Sequence, residues 1–191
     1  MTSMQDIVPA PMRLYHGSDV AIAHPDVTRN TGFADLGQGF YLTDDHAAAQ
    51  GRARTRARRT GAPQGVVSVF ELDEAQLPWA VWGAAAPELP AGTHDSPFGL
   101  RFDATPQGIA AWASYIVACR KGNVAVPGLG EPAVVRAWIA TEEVEMLYAG
   151  FATPEDLAEL LDPTALVVQY CLHDQAVLDR ILTFVESEHV S

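Results

Sequence analysis

Strand patterns and helix patterns follow one another irregularly along this chain, and that order constrains the fold most. Short runs rich in aromatic and branched residues predict strands: "MRLYHGS" (12–18), "GFYLT" (39–43) and "GVVSVFELD" (65–73). Helical segments separate only some of the strands, so the regular strand–helix–strand repeat of a doubly wound parallel sheet is missing. The sequence therefore predicts one α+β domain over residues 12–188, with a loose lead-in at residues 1–11.

Capping residues and apolar spacing predict the helices. A helix over 44–60 has Thr43, Asp44 or Asp45 as its cap. A second helix over 105–122 places its large apolar residues on one face, and a third over 153–161 begins with a Thr-Pro pair. Further strands are predicted at 133–140 and 165–172, and the last segment, 174–187, is a helix or a helix followed by a strand. Residues 78–99 and 141–150 have no clear pattern.

Several classes of protein are excluded by what the chain lacks. No uncharged apolar run reaches the roughly 18 residues that a membrane span needs. The first residues have neither the basic nor the apolar region of a secretory signal, so we expect a cytoplasmic protein without a membrane partner, unless a dedicated secretion system exports it. Cys119 and Cys171 are isolated and the histidines have no ligand spacing, so we expect no disulfide framework and no metal.

The glycines in "LGQGFYLTDDHAAA" (36–49) do not form a nucleotide-binding loop of the common kinds. A dinucleotide-binding loop follows a strand and opens a helix, whereas this one opens a strand. A third glycine and a Lys-Ser/Thr pair are also missing. Glycine before a strand more often permits close approach of a backbone or a ligand, which makes Gly39 a candidate binding residue.

Two segments taken together are more specific. "LYHGS" (14–18) is followed about 20 residues later by "GQGFYLT", and "LVVQYCLHD" (166–174) comes late in the chain. In these motifs the chain resembles the ADP-ribosyltransferase superfamily, in its diphtheria-toxin-like and poly(ADP-ribose) polymerase-like branch. It is most similar to an uncharacterised bacterial family of that fold. The resemblance implies a split β-sandwich with flanking helices around a cleft that binds NAD+ as a substrate.

The resemblance also implies roles for individual residues. His16 corresponds to the histidine that bonds a ribose hydroxyl, and Gly17 to the glycine that offers its backbone to the nicotinamide amide. Tyr41 corresponds to the tyrosine that lies against the nicotinamide ring. Ser18 either reaches the same amide or closes the turn. Gln169 stands where the family usually has a glutamate that bonds the nicotinamide ribose and helps to activate the acceptor.

Two departures from the family pattern bear on activity. An amide at Gln169 can hydrogen-bond a hydroxyl, but it cannot act as a base or offset a growing positive charge. The protein therefore uses an acceptor that is already nucleophilic, borrows a carboxylate such as Glu142 or Glu143, or binds NAD+ without turnover. The second departure is Arg52, which stands where related proteins often place an aromatic residue against nicotinamide.

An arginine-rich segment, "RARTRARR" (52–59), holds five of the twelve basic residues, although the formal net charge is −12. Three interpretations are open. The segment is a solvated helix face, or a docking face for an acidic partner, a nucleic-acid target or an inhibitor. Alternatively, its first turn, with Arg52, contacts the NAD+ pyrophosphate. The overall acidity argues against general binding to nucleic-acid backbones.

The predicted activity is that of a bacterial, toxin-type mono-ADP-ribosyltransferase. It transfers ADP-ribose from NAD+ to an unknown protein or nucleic-acid acceptor. The resemblance also implies a neutralising, antitoxin-type partner. Two alternatives remain outside this class: an NAD+-binding pseudoenzyme, and an interaction module that keeps only the fold. A third, an NAD+ glycohydrolase, is also an enzyme but labels no acceptor.

Overall fold

The computed structural model describes residues 11–29, 34–94 and 96–191. Its strands are β1 (Met12–Ser18), β2 (Phe40–Thr43), β3 (Gly65–Leu72), β4 (Trp79–Trp82), β5 (Gly99–Phe102), β6 (Val134–Trp138), β7 (Val168–Leu172) and β8 (Leu182–Val190). Its helices are α1 (His46–Thr60), α2 (Pro106–Arg120), α3 (Thr141–Tyr148), α4 (Pro154–Leu160) and α5 (Gln175–Ile181). The protein has the predicted α+β fold, with helices flanking the sheet.

The strands form one sheet in the order β4-β5-β6-β7-β2-β1-β3-β8. Neighbours are antiparallel except for β4, β5 and β6, which run parallel to one another. β1 pairs with β3 along its whole length, and β2 pairs with β7 at each of its residues. Between β1 and β2, however, a single residue pair, Tyr15 with Thr43, joins the two halves. The structure thus has one continuous sheet with a seam between β1 and β2, where the resemblance implies a split β-sandwich.

The structure assigns secondary structure to three segments that the sequence pattern left open. Residues 78–99 contain β4 and lead into β5. Each of these strands is four residues long, and the two pair in parallel. Residues 141–148 form α3, and the last segment is a helix followed by a strand that pairs with β3. Ordered structure extends to Val190, two residues beyond the predicted end of the domain. Residues 1–10 of the expected lead-in lie outside the described residues.

Apolar side chains cover both faces of the sheet. On one face α2 contributes Trp112 and Ile116 to a large core that also contains Cys171 of β7. On the other face α5 covers a core that contains Phe40 and Phe70. Both cysteines are buried and free.

Helix α1 lies close against β1 and β3 because small residues line the contact. Its buried face carries Ala49, Ala53 and Ala57, each four residues from the next. A side chain at Gly17 would meet the Ala49 carbonyl oxygen at 2.0 Å, and one at Gly65 would meet the Ala53 backbone at 2.6 Å. The backbone of α1 therefore lies directly against the end of β1 that carries the "HGS" motif.

Candidate functional site

His16 bridges the seam between β1 and β2. Beyond the Tyr15–Thr43 pair the backbone ladder between these strands stops. There the His16 Nδ1 donates a hydrogen bond of 2.7 Å to the main-chain carbonyl oxygen of Tyr41. The imidazole also stacks on the ring of Phe40, with centroids 4.6 Å apart and planes 24° from parallel. A side chain thus replaces the ladder and holds the two strands at a fixed separation.

The protonation state of His16 follows from these contacts. Burial lowers the pKa of His16 from its ordinary 6.5 to about 4, although the hydrogen bond to Tyr41 acts in the opposite direction. The nearby charges of Arg52 and Arg56 lower the pKa further. At neutral pH the ring is therefore uncharged. Because a carbonyl can only accept, Nδ1 carries the proton and Nε2 is left as an acceptor, suited to a hydroxyl donor.

Tyr41 anchors the loop that precedes its own strand. Its hydroxyl donates to the Gly37 carbonyl oxygen at 2.7 Å and accepts from the Leu36 amide at 3.1 Å. Burial raises the pKa of the Tyr41 phenol, so it stays neutral. The hydroxyl is committed to the backbone. The half-buried ring packs against the core that contains Cys171, so only its exposed part can contact a ligand.

Two further side chains hold the same loop. His173, directly after β7, donates from its Nδ1 to the Gln38 carbonyl oxygen at 2.6 Å. Arg120, at the end of α2, contacts Asp35 at 2.6 Å and Glu145 at 2.8 Å. Together with Tyr41 of β2, these contacts hold the loop at three points: to β2 itself, to the residue that follows β7 and to the end of α2.

The structure assigns packing roles to three of the predicted binding residues. Gly17 is required by the approach of α1, and a side chain at Gly39 would meet the Cys171 sulfur and the Leu172 carbonyl oxygen at 2.6 Å. Ser18 is 8% exposed, and its hydroxyl donates to the Asp19 carboxylate at 3.2 Å. Of the two possibilities for Ser18, this contact matches closure of the turn.

Gln169 lies on β7 beside β2, directly opposite Thr43. It is 8% exposed, and its amide nitrogen is 3.4 Å from the Trp138 carbonyl oxygen. Side chains alternate along a strand, so Gln169 and Tyr41 share one face of the sheet, roughly 7–8 Å apart on the diagonal. Tyr15 pairs with Thr43, and His16 therefore points to the other face, where it meets Phe40. His16 is thus linked to Tyr41 only through the main-chain carbonyl oxygen of Tyr41, across the seam.

The outer face of α1 adds positive charge next to His16. Arg52 is exposed, and Arg56, one turn later, forms an ion pair of 3.5 Å with Asp19. Sequence reasoning included Arg56 in the arginine-rich segment but did not place it beside His16, and it overlooked Asp19 and the stacking of Phe40. The i, i+4 spacing of Arg52 and Arg56 could have indicated the first of these.

The candidate replacement carboxylates are not part of this arrangement. Glu142 and Glu143 lie in the first turn of α3, where Glu142 is exposed and Glu143 half-buried. Among the described residues, no hydrogen bond or ion pair connects either of them to His16, Tyr41 or Gln169. Negative charge at a helix N-terminus stabilises the helix, which accounts for both.

A shallow, open cavity of about 620 Å³ lies where β2 meets α1, between residues 44–47 and 164–167. Neither His16, Tyr41 nor Gln169 lines it. Its carboxylates have structural partners, because Asp45 caps α1 and Asp44 accepts from the Val168 amide at 3.2 Å. Two carboxylates at its edge also make it unfavourable for phosphate.

The described residues, 11–29, 34–94 and 96–191, lack two other kinds of feature. No group of three or more His, Cys, Asp or Glu side chains there is arranged to hold a metal ion. No helix in these ranges has the length and apolar character needed to cross a membrane.

Comparison with known proteins gives one match, in the N-terminal part. No curated protein and no solved structure matches the chain. The matched segment contains β1, β2, α1 and β3, and with them His16 and Tyr41, but it covers less than half of the chain. Residues 12–81 are thus similar to a family described as proteins of unknown function, DUF3990.

Proposed function

We propose that the protein is a mono-ADP-ribosyltransferase that uses NAD+ at the seam between β1 and β2. The observation that carries this proposal is the neutral His16, whose Nδ1 is held by the Tyr41 carbonyl oxygen at 2.7 Å. Its Nε2 is an acceptor, the chemistry needed to bind a ribose hydroxyl. The half-buried Tyr41 ring on the adjacent strand offers an aromatic surface for nicotinamide.

The reaction demands little covalent chemistry from the protein. The bond between the ribose C1′ and nicotinamide breaks, and its electron pair leaves with the nicotinamide nitrogen. The ribose passes through an oxocarbenium-like state, as in glycoside cleavage. An acceptor nucleophile then bonds to C1′ and its proton goes to solvent. His16 and Tyr41 orient the substrate, and Arg52 and Arg56 provide positive charge for the pyrophosphate.

A second candidate, NAD+ binding without turnover, is favoured by Gln169. The side chain is almost fully buried, its amide points to the Trp138 carbonyl oxygen, and it has no negative charge to stabilise the oxocarbenium. Among the described residues, no hydrogen bond or ion pair connects Glu142 or Glu143 to this position. The acceptor must then be nucleophilic by itself, or the protein only binds the dinucleotide.

Release of nicotinamide from NAD+ by the purified protein tests the enzymatic proposal. We expect release by the wild type and its loss in His16→Ala, while His94→Ala, which removes an exposed histidine, keeps it. Labelled NAD+ with an added cell lysate separates transfer to a macromolecule from simple hydrolysis. Equal release by the wild type and His16→Ala, or none by the wild type, contradicts the proposal.

The variant Gln169→Glu separates the two candidates. If the wild type binds NAD+ without turnover and the glutamate variant gains nicotinamide release, the site is that of a pseudoenzyme. If both proteins release nicotinamide, the amide is compatible with catalysis. Calorimetric titration of the wild type with NAD+ supplies the binding constant, and an absence of binding leaves only the interaction module.

A further inference from the structure

The solvent-facing surface of α1 carries five arginines, on both flanks of the buried alanines, and no acidic residue. We call Arg52, Arg54, Arg56, Arg58 and Arg59 the arginine face. Of these five arginines, only Arg56 has an ion pair within the described part of the chain, with Asp19, and Arg54 donates to the Ser191 carbonyl oxygen. Positive charge in the last turn suits the helix dipole, which accounts for Arg58 and Arg59 but not for the other three.

The arrangement works against the isolated helix. Arg52 and Arg56, and likewise Arg54 and Arg58, are like charges four residues apart, which destabilises a helix. An anionic ligand on this face would remove that repulsion. At a rise of about 1.5 Å per residue the arginine face extends over roughly 10 Å, the length of about three phosphates along one strand of a duplex.

The chemistry of the face distinguishes a nucleic acid from an acidic protein. Protein interfaces depend on buried aromatic and large aliphatic anchors, and the exposed side of α1 has none between His46 and Thr60. Nucleic-acid interfaces are polar and strongly positive. Arginine pairs with phosphate through two parallel hydrogen bonds. Repulsion from the rest of this acidic chain is screened beyond about 8 Å at physiological salt.

We propose that the arginine face of α1 binds the phosphate backbone of a nucleic acid. The face begins beside the seam, because α1 contacts β1 at Gly17, next to His16. A nucleic acid bound there would lie at the candidate NAD+ site. It would then provide the acceptor for transfer, with a nucleophilic oxygen or nitrogen forming the bond to C1′ as nicotinamide leaves. This last step rests on the proposed function, whereas the binding itself does not.

Binding is measured by fluorescence anisotropy with fluorescein-labelled 20-nucleotide oligomers of deoxythymidine and of uridine, without NAD+. If three or four phosphates are neutralised, the affinity falls with a log–log salt slope of about −2 to −3, or about 16- to 60-fold between 50 and 200 mM NaCl. The variant Arg58→Gln/Arg59→Gln should bind more weakly and lose about 1.4 from that slope. It leaves Arg52 and Arg56 in place beside His16.

Matched variants control for charge and folding. Arg101→Gln/Arg180→Gln removes two exposed arginines outside α1 and should bind as the wild type does. Arg58→Lys/Arg59→Lys keeps the charge and should keep the salt slope, and circular dichroism verifies the helix in each protein. The proposal is overturned if neither oligomer binds at 50 mM NaCl or if the control variant loses as much. It is also overturned if a 15-residue glutamate peptide binds more tightly, which would indicate an acidic protein partner. Because NAD+ is absent, none of these results depends on turnover.

Discussion

Replacing Gly17 with alanine distinguishes a packing role from a ligand-binding role for this glycine. A methyl group at this position would lie 2.0 Å from the Ala49 carbonyl oxygen and 2.9 Å from the Ala53 amide nitrogen. Both atoms belong to the backbone of α1, so no side chain can rotate away. Bringing the nearer contact to the 3.4 Å of ordinary van der Waals contact requires α1 and β1 to separate by about 1.4 Å.

The expected cost follows from this displacement. Overpacking a well-packed contact costs typically about 1–3 kcal/mol, and a clash between two backbones lies at the upper end. At roughly 2–4 °C per kcal/mol for a chain of this size, 3 kcal/mol lowers the Tm by about 6–12 °C. Differential scanning calorimetry measures this directly.

Gly51 is the matched control on the same helix. A methyl group there meets nothing within 4 Å, so alanine should stabilise α1 by about 0.8–1 kcal/mol and raise the Tm by about 2–4 °C. A Gly17→Ala protein whose Tm lies within 2 °C of the wild type would refute the packing argument. If that protein also lost nicotinamide release, direct contact of Gly17 with NAD+ would be the better explanation.

Two further predictions concern stability around the seam. The folded pKa of His16, about 4, lies below its unfolded value of 6.5, so its neutral form stabilises the protein fully above pH 6.5. That contribution, about 2 kcal/mol, is lost as the pH falls to 4.5. The Tm of His16→Gln should therefore change less over this range than the Tm of the wild type. Parallel curves of Tm against pH for the two proteins would contradict the assignment. Tyr41→Phe leaves the Gly37 carbonyl and the Leu36 amide without their partner, at a cost of about 1–3 kcal/mol in urea unfolding. Tyr15→Phe is the control, because the Tyr15 hydroxyl has no hydrogen-bond partner among the described residues, and equal losses in the two variants would argue against this role of Tyr41.

Local patterns predicted most elements that carry the candidate site. The alternation in residues 65–73 and the N-terminal caps of α1 and α4 depend only on neighbours in the chain, and these elements formed where expected. The sequence pattern did not predict β4 and β5, because each is four residues long and is stabilised by parallel pairing with a distant segment. A short apolar run has no period of its own to indicate such pairing.

The candidate site divides in the same way. Short motifs were enough to select its residues, but they did not reveal why a glycine is required at each position. Gly17 and Gly39 look like ligand-binding glycines in the sequence, whereas the structure shows a helix against one and β7 against the other. Backbone proximity between distant segments has no signature in either segment alone.

By itself, the sequence determined the α+β class, the strands that carry His16, Tyr41 and Gln169, and the basic character of one helix. Backbone periodicity, capping and charge are properties of consecutive residues, so they can be recognised before folding. Only the tertiary structure decided that His16 hydrogen-bonds Tyr41, 25 residues later in the chain. The same holds for the burial of Gln169 against Trp138 and for the packing of α1 on Gly17. These contacts depend on which strands become neighbours, and long-range packing of the whole core selects those neighbours.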